Sequence, residues 1–88
     1  MQTLSELEAA VRTRRELPTP DVRRALRKAA GASQADVAGV IGVTPEAVGH
    51  WEAGTRTPKG RNLTSYVEVL RAFRKAVAEE PSNGALVP

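Results

Sequence analysis

Residues 33–54, SQADVAGVIGVTPEAVGHWEAG, contain the signals that decide the fold of this 88-residue chain. Ser33 is a good N-cap for a first helix, because its hydroxyl can accept from a free backbone N–H. Gly42 ends that helix, since glycine adopts the left-handed conformation at little energetic cost. Thr44 caps a second helix, and Pro45 occupies its first position, where no backbone N–H is missed. The segment therefore predicts two short helices joined by a tight turn.

Apolar residues recur at helical spacing in both predicted helices, so that each has one buried face. These residues are Val37, Ala38, Ile41, Val48 and Trp51. The small Ala38 lets the helices cross closely, Gly42 makes the bend, and Val48 closes the wedge between them. This pattern is typical of a helix-turn-helix, in which the second helix can enter the major groove of DNA. The alternative is an ordinary αα-hairpin in a small bundle.

The same stretch resembles the phage Cro/repressor (Xre-type) helix-turn-helix family. The residues that carry the resemblance are Gln34, Ala38, Gly42, Val48, Trp51, Glu52, Gly54 and Pro58. It extends over residues 22–70 and implies an all-α, compact five-helix bundle of the lambda-repressor type. Such proteins usually bind operator DNA as two-fold dimers. The chain differs from the minimal domain of the family by an extra N-terminal helix and a long C-terminal helix.

Composition limits the classes of function. The length allows one small domain with a single modest core. The absence of cysteine excludes disulfides, thiolate catalysis and zinc-finger ligands, and one histidine cannot build a His-rich metal site. No cofactor is therefore expected. No apolar run approaches the ~20 residues of a membrane span, and the acidic start does not resemble a signal peptide, so a cytoplasmic protein without membrane contact is expected.

The net charge of +3 is unevenly distributed. Arginine and lysine are concentrated in the first third of the chain and in the segment directly after residues 33–54, whereas glutamates lie near the two ends. A basic middle favours a polyanionic partner, and the alternative is an ordinary solvated surface.

Three regions are predicted: an accessory helix in residues 1–17, a helix-turn-helix DNA-binding domain in residues 19–80 and a disordered tail in residues 81–88. Thr3 and Glu6 form a capping-box pattern at the start of the accessory helix. Its stripe of Leu4, Leu7 and Val11 is expected to pack on the bundle or to pair with a second subunit. Contact of its basic end with DNA is a third, less favoured use.

The second predicted helix has Thr19 as its cap and Pro20 at its first position. Its core face is expected to carry Val22, Leu26, Ala29 and Ala30, and its opposite face Arg23, Arg24, Arg27 and Lys28. A loop is expected over residues 55–61, followed by the longest helix over residues 62–79. The apolar residues Phe73 and Val77 at its end are either part of a dimer interface or covered by the accessory helix.

The resemblance implies roles for individual residues. The residues expected to contact bases are Pro45, Glu46, Ala47, Gly49 and His50. Those expected to contact the DNA backbone are Gln34, Thr44, Arg56, Thr57, Lys59 and Arg61. Structural roles are expected for Arg27, Ala38, Gly42, Val48, Trp51 and Glu52. Glutamate can accept from cytosine N4, and an alanine methyl can contact the methyl group of thymine.

Two further expectations follow from the resemblance. Glu52 should form an ion pair with Arg27, which would tie the second helix of the chain to the motif. The best-known family members have glutamine, serine or arginine where this chain has Pro45, Glu46 and Gly49, so their manner of base contact does not transfer directly.

The predicted function is sequence-specific transcription regulation by a repressor or Cro-like homodimer on an inverted-repeat operator of double-stranded DNA. The alternative is an antitoxin or another protein-interaction module on the same fold, with a protein partner held by the termini. An enzyme is not expected, because no carboxylate pair, metal-ligand set or nucleophile framework accompanies His50.

Overall fold

A computed structural model describes residues 2–79, which form five α-helices and no strand. The all-α class and the five-helix architecture are thereby confirmed. The predicted tail, residues 81–88, lies outside the described residues. The helices are α1 (Leu4–Glu16), α2 (Pro20–Ala29), α3 (Gln34–Ile41), α4 (Pro45–Ala53) and α5 (Gly60–Ala78).

Short-range hydrogen bonds fix the starts of α3 and α4, and a glycine ends α3. The Ser33 hydroxyl accepts from the Asp36 N–H at 2.9 Å, and the Asp36 carboxylate accepts from the Ser33 N–H at 2.8 Å. Gly42 has a φ of 89° and ends α3, and the Thr44 hydroxyl accepts from the Ala47 N–H at 3.2 Å. Thr19 also lies at an N-cap, but its side chain makes no capping hydrogen bond.

The core lies where α3 and α4 meet α5. Trp51 of α4 packs on Tyr66 of α5 with ring centroids 4.8 Å apart and planes tilted by 45°. Around this pair are the buried residues Val37, Ala38, Val48 and Leu70. Burial raises the pKa of Tyr66 to about 12, so its hydroxyl is neutral at physiological pH.

The inward face of α2 differs from the prediction. Val22, expected in the core, is 39% exposed, whereas Arg23 and Arg27, expected on the opposite face of the helix, are each only 9% exposed. The Arg23 guanidinium donates from Nε to the Pro18 carbonyl at 2.7 Å and from Nη1 to the Trp51 carbonyl at 2.8 Å. These hydrogen bonds offset the desolvation of the charged group, so an arginine occupies a position that the apolar pattern assigned to valine.

The accessory helix α1 packs on α5. Arg71 Nη2 donates to Glu16 Oε1 at 2.5 Å, and Leu17 packs against the core. Contrary to the first of the two expectations for it, the apolar stripe of α1 is not buried: Leu4 is 71% exposed, Leu7 46% and Val11 40%. Ala10, on another side of α1, lies beside Leu63 of α5.

Helix α5 begins earlier than predicted, at Gly60, so Arg61 lies in its first turn and not in a loop. It continues to Ala78 without a break. α1 does not cover its apolar end. Phe73 instead packs at the edge of the core beside Val40 of α3, and Val77 lies beside Ala30. None of the described helices has the length and apolarity needed to cross a membrane.

Candidate nucleic-acid interface

Helix α4 is held from one side only. Its inward residues Val48 and Trp51 are buried in the core, and Glu52 is buried beside α2. Its first turn projects into solvent, because Pro45 and Glu46 are exposed. The remaining residues predicted to contact bases, Ala47, Gly49 and His50, are half-buried, and Ala47 packs against the core with part of its surface. The described part of the chain therefore leaves the outer side of α4 accessible.

A buried ion pair fastens the end of α4 to α2. Arg27 donates from Nε to Glu52 Oε2 at 2.5 Å and from Nη2 to Glu52 Oε1 at 3.0 Å, which is a bidentate arrangement. Its Nη1 donates to the Ala32 carbonyl at 2.9 Å. The predicted pair between Arg27 and Glu52 is thus present in the structure. It fixes the angle between α2 and the motif.

Gln34 joins this pair at the start of α3. Its Nε2 donates to Glu52 Oε1 at 3.2 Å, so one of its two amide hydrogens points into the molecule. The other hydrogen is left for an external acceptor. Gly49 faces the same amide, since a Cβ placed there would lie 3.6 Å from Gln34 Nε2. The start of α3 and the middle of α4 therefore form one continuous surface.

The charge states of the ion pair follow from these contacts. Burial acts to raise the pKa of Glu52, but the hydrogen bonds from Arg27 and Gln34 outweigh it and hold this pKa below its usual range. The hydrogen bond to Glu52 raises the pKa of Arg27. Both groups are consequently charged at neutral pH.

His50 is oriented by the residue that follows α4. Its Nδ1 lies 2.8 Å from the Thr55 hydroxyl, and that hydroxyl donates to the His50 carbonyl at 3.3 Å. Either tautomer of the ring can make the contact with the hydroxyl, and the contact orients the imidazole on α4. The sequence did not predict a role for Thr55.

Four of the six residues predicted to contact the DNA backbone lie together after α4. Arg56, Thr57 and Lys59 are exposed in the segment between α4 and α5, which Pro58 anchors by its burial, and Arg61 is exposed one turn later. None of these three cations forms an ion pair with another residue in the range 2–79. Their charges are therefore available to an external anion. Thr44 is also exposed, but its hydroxyl already caps α4.

Sequence reasoning missed Arg23, which supports the site from behind by donating to the Trp51 carbonyl. A signal for it existed: Arg23 lies four residues before Arg27, so the two side chains share one face of α2. Within residues 2–79, no group of three histidine, aspartate or glutamate side chains could hold a metal ion.

Comparison with protein families gives a match to a helix-turn-helix family model over residues 24–72, which is more than half of the chain. Comparison with curated proteins and with solved structures gives no significant match. The match covers all of α3 and α4 and most of α2 and α5. On this evidence of sequence and geometry together, the chain belongs to the Cro/repressor-type (Xre-like) helix-turn-helix family of DNA-binding proteins.

Proposed function

We propose that the chain is a sequence-specific repressor or Cro-like regulator that binds an inverted-repeat operator as a homodimer. Its family is one of DNA-binding transcription regulators. The observation that carries the finer proposal is the placement of α4, which the core holds from behind while its outer side stays open. The segment of unpaired cations directly after α4 supports it further.

In this proposal α4 is the recognition helix and lies in the major groove. The exposed Glu46 carboxylate accepts from the N4 amino group of cytosine, and the Ala47 methyl contacts a thymine methyl. His50 Nε2 forms a hydrogen bond with a base edge. Pro45 and Gly49 carry no side-chain donor, and they let the start and middle of α4 approach the bases closely.

The phosphate contacts come from residues on either side of α4. Arg56, Lys59 and Arg61 neutralise phosphates, whereas Thr57, Thr44 and the free amide hydrogen of Gln34 donate to them. Three cations per subunit give six per dimer. These six cations alone should therefore make the logarithm of the binding constant fall with the logarithm of salt concentration with a slope of about −5.

Binding of random and enriched duplexes between 50 and 200 mM salt tests this proposal, and fluorescence anisotropy is a suitable measurement. We expect an approximately 10³-fold loss of affinity over that range. Binding that is independent of salt for every duplex would contradict DNA recognition through these residues.

Gly49 offers a way to separate stability from DNA binding. Gly49→Ala should raise the free energy of unfolding by about 0.5–1 kcal/mol, because alanine loses less entropy in a helix and its Cβ would make only ordinary contact with Gln34. The same methyl group should weaken DNA binding if the helix backbone approaches the bases here. Urea unfolding and duplex titration measure the two effects, and a stabilised variant with unchanged affinity would place Gly49 outside the interface.

In this proposal the dimer surface lies on α3 and α5. Val40 is 75% exposed, and beside it is an apolar crevice of about 260 Å³. Its apolar walls are Ala32, Val37, Val40, Val69, Ala72 and Phe73. Pairing of two such surfaces would bury apolar area that is exposed to solvent in the described residues. This pairing does not use the outer side of α4.

Val40→Glu should therefore convert the dimer to monomer with little change in fold stability, because Val40 contributes almost no buried area to the monomer. Leu4→Glu is the matched control, since Leu4 is similarly exposed, at 71%, but lies on α1. Sedimentation equilibrium measures both variants. If the Leu4 variant is monomeric and the Val40 variant remains a dimer, the dimer surface lies on α1 and not on α3 and α5.

A protein-interaction module, such as an antitoxin, is the second candidate. The exposed stripe of Leu4, Leu7 and Val11 on α1 favours it, because this apolar strip has no cover among residues 2–79. Co-purification with a partner through α1, and its loss in the Leu4→Glu variant, would support this role. DNA binding and partner binding use different surfaces and are compatible.

A further inference from the structure

Helix α1 and the segment after α4 enclose a crevice of about 290 Å³. The buried or half-buried residues Ala10, Pro58 and Leu63 form its floor, and the exposed residues Arg14, Thr57 and Lys59 form its rim. Thr57 and Lys59 are two of the residues assigned above to phosphate contact. The fold thus places a cation of α1 beside the cationic segment, although more than 40 residues separate them along the chain.

The charge of Arg14 is not used within the described molecule. Arg14 forms no ion pair with any residue between 2 and 79. The nearest acidic residue in the sequence, Glu16, is bound to Arg71 on the other side of α1. That same contact, together with the packing of Leu17 on the core, fixes the end of α1 that carries Arg14. Arg14 is therefore an uncompensated cation on a helix end that is fixed to the rest of the fold.

We propose that Arg14 contacts a DNA phosphate, so that α1 extends the footprint beyond the part of the chain that matches the family model. The partner is the sugar–phosphate backbone of the strand that Thr57 and Lys59 contact. Neighbouring phosphates of one strand lie 3.4 Å apart along the duplex axis, so cations on the two rims of the crevice can neutralise successive groups. This inference rests on the proposed function, and it adds a contact outside residues 24–72.

The test is to compare Arg14→Gln with Arg12→Gln in the full chain. Both variants lose one positive charge from the same helix, but Arg12 projects about 200° around the helix from Arg14, away from the crevice. Arg14→Gln should reduce the magnitude of the salt slope by about 0.9 for each subunit that binds, and lower affinity by about tenfold at moderate salt. Arg12→Gln should leave the slope unchanged. The preferred duplex sequence should be the same for both variants, since a phosphate contact carries no base information.

The measurements distinguish an error in the role of Arg14 from an error in the proposed DNA binding as a whole. Equal slopes for the two variants, with normal salt-dependent binding by the wild type, would overturn the role of Arg14 alone. A wild type that binds no duplex in a salt-dependent manner would overturn the proposed function and this inference together. Phosphate ethylation interference adds a second measurement: the wild type should be sensitive at one more phosphate per half-site than Arg14→Gln, and an identical pattern would again contradict the inference. Thermal melting of both variants checks that they fold.

Discussion

Replacement of Arg27 by methionine is expected to lower the free energy of unfolding by about 3–5 kcal/mol, which is a large part of the stability of a domain this small. The reason is that the Glu52 carboxylate, which is buried, would lose both hydrogen bonds from Arg27 and keep only the one from Gln34. The Ala32 carbonyl would lose its donor as well. Urea unfolding followed by circular dichroism measures the effect.

A double replacement is the control for this prediction. Arg27→Met combined with Glu52→Leu removes both charges together, and much of the lost stability should return, because no uncompensated charge then remains buried. A loss below about 1 kcal/mol for the single replacement would mean that the pair behaves like an exposed salt bridge.

The same pair makes stability depend on pH in a defined direction. The pKa of Glu52 is lower in the folded chain than in the unfolded chain, so its stabilising contribution is present above the unfolded value of about 4.3. It is lost as the pH falls through the lower, folded value. Thermal melting of the wild type and of the double variant between pH 7 and pH 3 should show the steeper acid loss in the wild type.

The second large effect concerns DNA affinity. Joint replacement of Arg56 and Lys59 by glutamine should weaken duplex binding by roughly 10²–10⁴-fold per bound subunit at moderate salt, since each charge-assisted contact contributes about 1.5–3 kcal/mol. The salt slope should become shallower by about 1.8 per bound subunit. Stability should change little, because both side chains are exposed and make no ion pair among the described residues.

Arg74→Gln with Lys75→Gln is the matched control. It removes the same charge from exposed positions near the far end of α5, about 22 Å along the helix from Lys59. We expect it to keep almost all of the affinity. If both double variants lose affinity equally, binding depends on net charge and not on the segment after α4.

The local features of the motif could be predicted because their causes are local. Ser33, Gly42 and Thr44 act on backbone groups within three or four residues, so the sequence alone contains the information. The contact between Arg27 and Glu52 spans 25 residues, and it was predicted only through the resemblance to a family. Gln34 donating to Glu52 was not predicted, since the family position had suggested a phosphate contact.

The predictions that were wrong concern which side of a helix faces the rest of the fold. The inward face of α2 was predicted from apolar residues, but Arg23 is buried because a distant carbonyl, that of Trp51, accepts from it. The stripe on α1 was expected to pack on the bundle or to pair with a second subunit, and the first of these was wrong, because Ala10 and not Leu4 lies near α5. Such rotations depend on tertiary contacts, and periodicity alone does not determine them.

The central claim is that the outer side of α4 contacts bases. Selection of bound duplexes from a random pool tests it most directly, with the wild type and the variants Glu46→Gln, Gly49→Ala and His50→Gln analysed in parallel. The account predicts that the wild type enriches an inverted repeat with half-site centres about 34 Å apart, and that each variant changes the preferred base at only a few positions in each half-site. No enriched sequence, or one identical consensus from all four proteins, would contradict it.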